Sequence, residues 1–155
     1  MKVEGTHALP AARELVWAML MDPEVMTRCL PGCEKLELQK DNSYRASLKI
    51  GLSSVKGKYE GTLCIEDPNP PESYKLVVEG KGSPGFVRAT ASINLADHGI
   101  VTDLQYSGES VVGGPIASIG QRMLQGVANT LIRHFFESFE RELRAGTDGA
   151  DPDAH

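Results

Sequence analysis

The chain has few cysteines, few aromatics and no long apolar run, and each shortage removes a class of function. Cys29, Cys33 and Cys64 are an odd number of thiols. The step from Cys29 to Cys33 around Pro31-Gly32 fits neither a zinc-ligand pair nor a thioredoxin-type motif. They read as small buried or half-buried thiols, and no metal site is expected. No stretch approaches the ~18 apolar residues of a membrane span, and Met1-Lys2-Val3-Glu4 lacks an apolar signal region, so the expected location is the cytoplasm. Lys and Arg (16) are fewer than Asp and Glu (21) and line up on no face, which argues against a nucleic-acid partner. No Gly-rich phosphate loop or nucleophile elbow occurs either.

What is present suits one domain with a core of its own: 155 residues, 41% hydrophobic. The expected domain is 1–145. Residues 146–155 carry no apolar pattern and read as a disordered acidic tail. The tail's three Asp residues take the net charge of −5 to −2 for the remainder.

Apolar periodicity gives the elements. Val3, Gly5, His7 and Leu9 alternate as an edge strand. Leu15, Val16, Met19 and Leu20 fit a short helix, and Asp22-Pro23 is a cap and first turn for a second one ending near Cys29. From Glu34 the period changes to two, giving six strands with turns at Asp41-Asn42-Ser43, Ser83-Pro84-Gly85 and Asp97-His98-Gly99. The proline-rich run from Asp67 to Glu72 reads as a loop. After Gly113-Gly114-Pro115, apolar residues recur at three- and four-residue steps from Ile116 to Leu143, predicting one unbroken helix of about 30 residues. The expected class is α+β: a curved antiparallel sheet of about seven strands around a long C-terminal helix, with two short helices after strand 1.

The inward positions near the strand centres are small: Ala46, Gly57, Gly61, Gly80, Ala89, Ala91 and Gly108. Small residues facing a layer that packs to high density leave missing volume, although glycines also mark bends in a sheet. Together with the first half of the helix stripe they define an expected apolar pocket. Its wall would be Leu48, Tyr59, Leu63, Leu76, Ala89, Ala91, Tyr106, Ile116, Ile119, Gly120, Met123 and Val127. Gly113, Gly114 and Pro115 are placed to act as a gate, or as a plain strand-to-helix corner. A catalytic set is missing. His98 and His155 read as solvated. His7 and His134 read as structural or boundary positions with a ligand contact as the alternative, and Glu137–Arg141 and Glu140–Arg144 as helix-surface pairs.

Four strings carry a family resemblance: Cys29-Leu30-Pro31-Gly32-Cys33-Glu34, Val55-Lys56-Gly57-Lys58-Tyr59-Glu60-Gly61, Gly80-Lys81-Gly82-Ser83-Pro84-Gly85-Phe86, and Gly113-Gly114-Pro115-Ile116-Ala117-Ser118-Ile119-Gly120-Gln121-Arg122. In this order, over residues 2 to about 144, the chain resembles the START-like or helix-grip (SRPBCC) superfamily, and within it the CoxG family of carbon monoxide dehydrogenase proteins. The resemblance implies a deep apolar cavity between helix and sheet. It also implies association with molybdenum hydroxylase subunits and their recruitment to the inner membrane. The expected function is non-enzymatic binding of an apolar small molecule, a quinone or other lipid-like ligand, with no covalent cofactor. A small polyketide cyclase or dehydratase using the same cavity is the alternative, and it requires a titratable residue in the pocket with a shifted pKa. A docking protein with a filled core is a third.

Overall fold

Two short helices follow the first strand, and the sequence caps the second of them. The computed structural model describes residues 1–52 and 54–149, with side chains through Gly146. Strand β1 (Lys2–Leu9) leads into α1 (Arg13–Leu20). In α2 (Pro23–Cys29), Asp22 accepts a 2.9 Å hydrogen bond from the Glu24 amide, and Pro23 occupies the first turn, where no intrahelical donor is needed. Val16, Leu20, Val25 and Cys29 are the buried face of this pair.

Six further strands follow: β2 (Cys33–Leu38), β3 (Tyr44–Ile50), β4 (Gly57–Asn69), β5 (Ser73–Gly82), β6 (Gly85–His98) and β7 (Val101–Gly113). All pairs are antiparallel, in the order β1-β7-β6-β5-β4-β3-β2. The register aligns the inner side chains into cross-strand rows. Tyr74, Ile93, Tyr106 and Gly5 form one row. Ile65, Leu76, Ala91, Gly108 and Val3 form the next, and Tyr44, Leu63, Val78, Ala89 and Ser110 the one after. β2 and β1 are the edges, and β2 carries an irregularity between Cys33 and Lys35.

The glycines divide into two kinds. A β-carbon on Gly61 would strike the Glu79 carbonyl, and one on Gly108 would lie 2.7 Å from the Thr90 oxygen, so these positions are small because neighbouring backbone approaches closely. A β-carbon on Gly80 would meet nothing within 4 Å. Only the second kind leaves open space where a side chain would stand.

Three expectations are corrected. β4 does not stop before the prolines: it runs through Asp67 (φ 48°) and Pro68 to Asn69 with a register shift after Glu66, a bulge that tolerates the missing proline donor. The C-terminal helix is not continuous from Ile116. Pro115–Ile119 is a short 3₁₀ turn, Gly120 follows at φ 90°, and α3 begins at Gln121. And α3 extends to Gly149, so the segment from Gly146 expected to be a disordered tail begins inside the helix; 150–155 lie outside the described residues. The core sits under the later part of α3, where Phe136, Phe139 and Leu143 pack with Leu9, Val16, Leu20, Val25, Cys29, Leu95 and Leu104. Each such apolar side chain is worth about 1.5–3 kcal/mol of burial.

Candidate functional site

A half-enclosed cavity of about 330 Å³ lies between the sheet, α2 and α3. The sheet supplies Val3, Leu36, Tyr44, Leu63, Ile65, Tyr74, Leu76, Ala91, Ile93, Leu104 and Tyr106. Leu20, Met21, Pro23, Met26, Leu30 and Pro31 close one side, and Leu131, Ile132, Phe135 and Phe136 of α3 close another. Every wall residue is apolar or tyrosine. Ala91, level with Leu76 in its cross-strand row, brings only a methyl group to the wall beneath α3.

The expected pocket residues separate into two sets. Leu63, Leu76, Ala91 and Tyr106 stand on this wall, whereas Leu48, Tyr59, Ala89, Ile116, Ile119, Gly120, Met123 and Val127 do not. The shift has a physical cause: the first half of α3 is not pressed onto the sheet. Met123 is 52% exposed, and no residue from Gln121 to Thr130 is buried. Ile116 is buried elsewhere, against Gly85, where its Cγ1 would lie 2.7 Å from a β-carbon. Tyr59 is a core tyrosine, its hydroxyl donating to the Val55 carbonyl at 2.7 Å. Gly113, Gly114 and Pro115 also lie off the wall. Gly113 is seven residues beyond Tyr106 on β7, roughly 24 Å along an extended strand.

The tyrosines differ in how their hydroxyls are satisfied. Tyr44 and Tyr106 are only half-buried. The Tyr106 ring lies over Gly5, where its hydroxyl would stand 2.6 Å from a β-carbon, so Gly5 is the space that lets the ring lie flat across β1. Tyr74 is buried, with Trp17 edge-on at 5.5 Å between ring centroids. Burial pushes the Tyr74 phenol well above its usual range, and those of Tyr59 and Tyr106 upward as well. Burial likewise raises the Cys29 thiol to about 11, with Glu142 adding to the effect.

The histidines are peripheral to the cavity. His7 stacks on Phe136 at 4.3 Å and 9°, its Nε2 3.7 Å from Glu140, and so ties β1 to α3. His98 pairs with Asp103 at 3.2 Å in a hairpin turn, and His134 is exposed. The expected pairs on α3 are replaced: Glu137 meets Arg133, Glu140 meets His7, and Arg28 of α2 meets Glu142 at 2.7 Å. Among the described residues no group of three or more His, Cys, Asp or Glu is placed to hold a metal ion. Nor is any helix among them long and apolar enough to cross a membrane.

Sequence reasoning missed the α2 contribution and Tyr74. Met26, Leu30 and Pro31 were legible as apolar residues at a helix end, but nothing local said which way that end faces. Tyr74 falls on the same alternating face as Leu76 and Val78, and that alternation was the available signal.

Solved structures and family profiles agree on this architecture. A conserved protein from Geobacillus kaustophilus superposes with a TM-score of 0.91 at 43% identity, over 93% of this chain and 95% of that one. A START superfamily protein from Mycobacterium smegmatis gives 0.72 at 15% identity over 92% and 97%. The Zhui aromatase/cyclase of Streptomyces sp. R1128 gives 0.73 at 15% identity over 97% and 98%. No protein of curated function matched. The likenesses at 15% identity establish the START-like fold and nothing finer. The profile of the carbon monoxide dehydrogenase G-subunit (CoxG) matches residues 5–144, and with the long C-terminal helix over a seven-stranded antiparallel sheet it follows that this chain belongs to the CoxG family.

Proposed function

We propose that this protein is a non-enzymatic carrier that holds an apolar small molecule between the sheet and α3, as an accessory to a carbon monoxide dehydrogenase-type molybdenum hydroxylase. The observation that carries the reading is the cavity, about 330 Å³ with walls of apolar residues and tyrosines only. That volume falls at the lower end of ligand sites, roughly 300–1,000 Å³. It suits a ring system or a short chain, with any long tail left outside. A quinone is the first candidate, because a dehydrogenase that releases electrons needs an acceptor, and quinones reside in lipid. Loading would then require peripheral contact with the inner membrane. The family name supports the hydroxylase partner. The cyclase reading needs an acid or base in the cavity, and among the described residues the titratable side chains on the wall are the phenols of Tyr44, Tyr74 and Tyr106.

Organic extraction of the purified protein with mass spectrometry tests the reading, and recovery of a stoichiometric apolar compound is expected. Ala91→Leu adds bulk to the middle of the wall. It is expected to weaken binding of an apolar fluorescent probe at least tenfold while stability changes by less than ~1.5 kcal/mol. Unchanged probe affinity in that variant, with no ligand extracted from the native protein, would end the proposal.

A further inference from the structure

Of the four tyrosines, Tyr74 has a hydroxyl without an explanation. Tyr59 donates to Val55, while Tyr44 and Tyr106 are half-exposed and can reach water. Tyr74 is 7% exposed, stands on the cavity wall and has no hydrogen-bond partner among the described residues. Its oxygen is nonetheless not sealed in. The fully enclosed side-chain polar atom without a partner among the described residues is Arg13 Nε. A phenol on a buried residue of a cavity wall can be satisfied by a molecule held in that cavity. A buried hydroxyl left unmatched is costly, and a cavity that needed only to hold hydrocarbon would be served by phenylalanine.

We infer that Tyr74 is the orienting hydrogen-bond donor for the bound molecule, and that this molecule carries an uncharged acceptor oxygen of the carbonyl type on an otherwise apolar ring. The inference rests on the carrier reading above and narrows its ligand. Two surroundings fit it. Trp17, edge-on to the Tyr74 ring, fixes that ring from the side. Burial also holds the phenol protonated far above neutral pH, so it remains a donor under all ordinary conditions. Among the described residues no cationic side chain is on the wall, which disfavours a carboxylate or phosphate in place of the carbonyl.

The test compares duroquinone, whose ring carbons are all substituted so that no thiol can add, with its hydrocarbon counterpart durene, by equilibrium dialysis against the full chain. Tyr74→Phe is expected to lower the ratio of duroquinone to durene affinity about tenfold, the value of one hydrogen bond made in an apolar site. Durene affinity itself should stay unchanged, and Tyr59→Phe, off the cavity wall, should leave the ratio within about twofold. An unchanged ratio in Tyr74→Phe, or an equal fall in Tyr59→Phe, overturns the assignment while leaving the carrier reading intact. Failure of both probes to bind the native protein overturns the two together. Should Tyr74→Phe not fold, the infrared carbonyl band of duroquinone bound to the native protein decides. A downshift from its position in hexane is expected, and the hexane position itself would refute a hydrogen bond.

Discussion

The two halves of α3 carry the same apolar rhythm and meet different fates. From Leu131 onward, Phe136, Phe139 and Leu143 are buried against α1, α2 and the β1–β7 edge, and Phe135 stacks on Phe139 at 5.6 Å. From Gln121 to Thr130 the stripe of Met123, Leu124, Val127 and Ala128 is half-exposed at best, and Met123 faces solvent. The difference is supplied by partners, since α1 and α2 cover only the later half. A stripe on a helix states that a face can be buried; whether it is buried depends on what the rest of the chain brings to it.

Substitutions on either side of that divide should separate widely. Phe139→Ala, at a position with no exposure, is expected to cost about 3–5 kcal/mol in urea unfolding. A cost below ~1.5 kcal/mol would mean that the anchored half is not the core.

The alkaline limb of stability reports on the same anchored half, because Cys29 packs there beside Glu142. Its thiol is raised by burial from an ordinary 9.0 to about 11, so the fold favours the protonated form. That contribution is complete below pH 9.0 and is lost as pH climbs from there to about 11. Unfolding titrations between neutral pH and pH 11 should show the native protein losing about 1–3 kcal/mol more than Cys29→Ala. Parallel curves would show that the thiolate is tolerated.

Smaller effects belong to the joint and the free half. Gly120 has φ 90° with open space around its missing β-carbon, so Gly120→Ala should cost about 1 kcal/mol through backbone strain alone. A gain in stability would place the residue inside a helix after all. Met123→Ala is expected to change stability by less than ~0.5 kcal/mol. A larger loss by thermal unfolding would show that the free half is covered in solution.

These contrasts also mark what was legible in the sequence. Alternation located the seven strands, though not the end of β4, and Asp22-Pro23 located α2, because those signals are local. The break at Gly120 was invisible, since the apolar stripe continues through Ile116 and Ile119 on one side and Met123 on the other. The position of the cavity along α3 was also out of reach: periodicity gives azimuth around a helix and says nothing of depth. Gly61 and Gly108 look the same as Gly80 in a sequence, yet the first two are filled by neighbouring backbone and only the last faces open space. Leu63, Leu76, Ala91 and Tyr106 were legible as wall residues of the sheet because register follows from alternation. The α2 side of the wall depends on a tertiary angle that no local pattern encodes.

The interrupted edge at β2 bears on how the protein behaves at high concentration. A free strand edge is a template on which a second chain can add, and repeated addition leads to fibrous aggregates. β2 offers a poor template: it is only six residues long, it loses register between Cys33 and Lys35, and Lys35 and Glu37 form a charged pair at 3.2 Å along it. An incoming strand would have to match the irregularity and desolvate both charges before gaining its first continuous ladder, so a sheet that stays open at this end can resist fibre growth without a covering element.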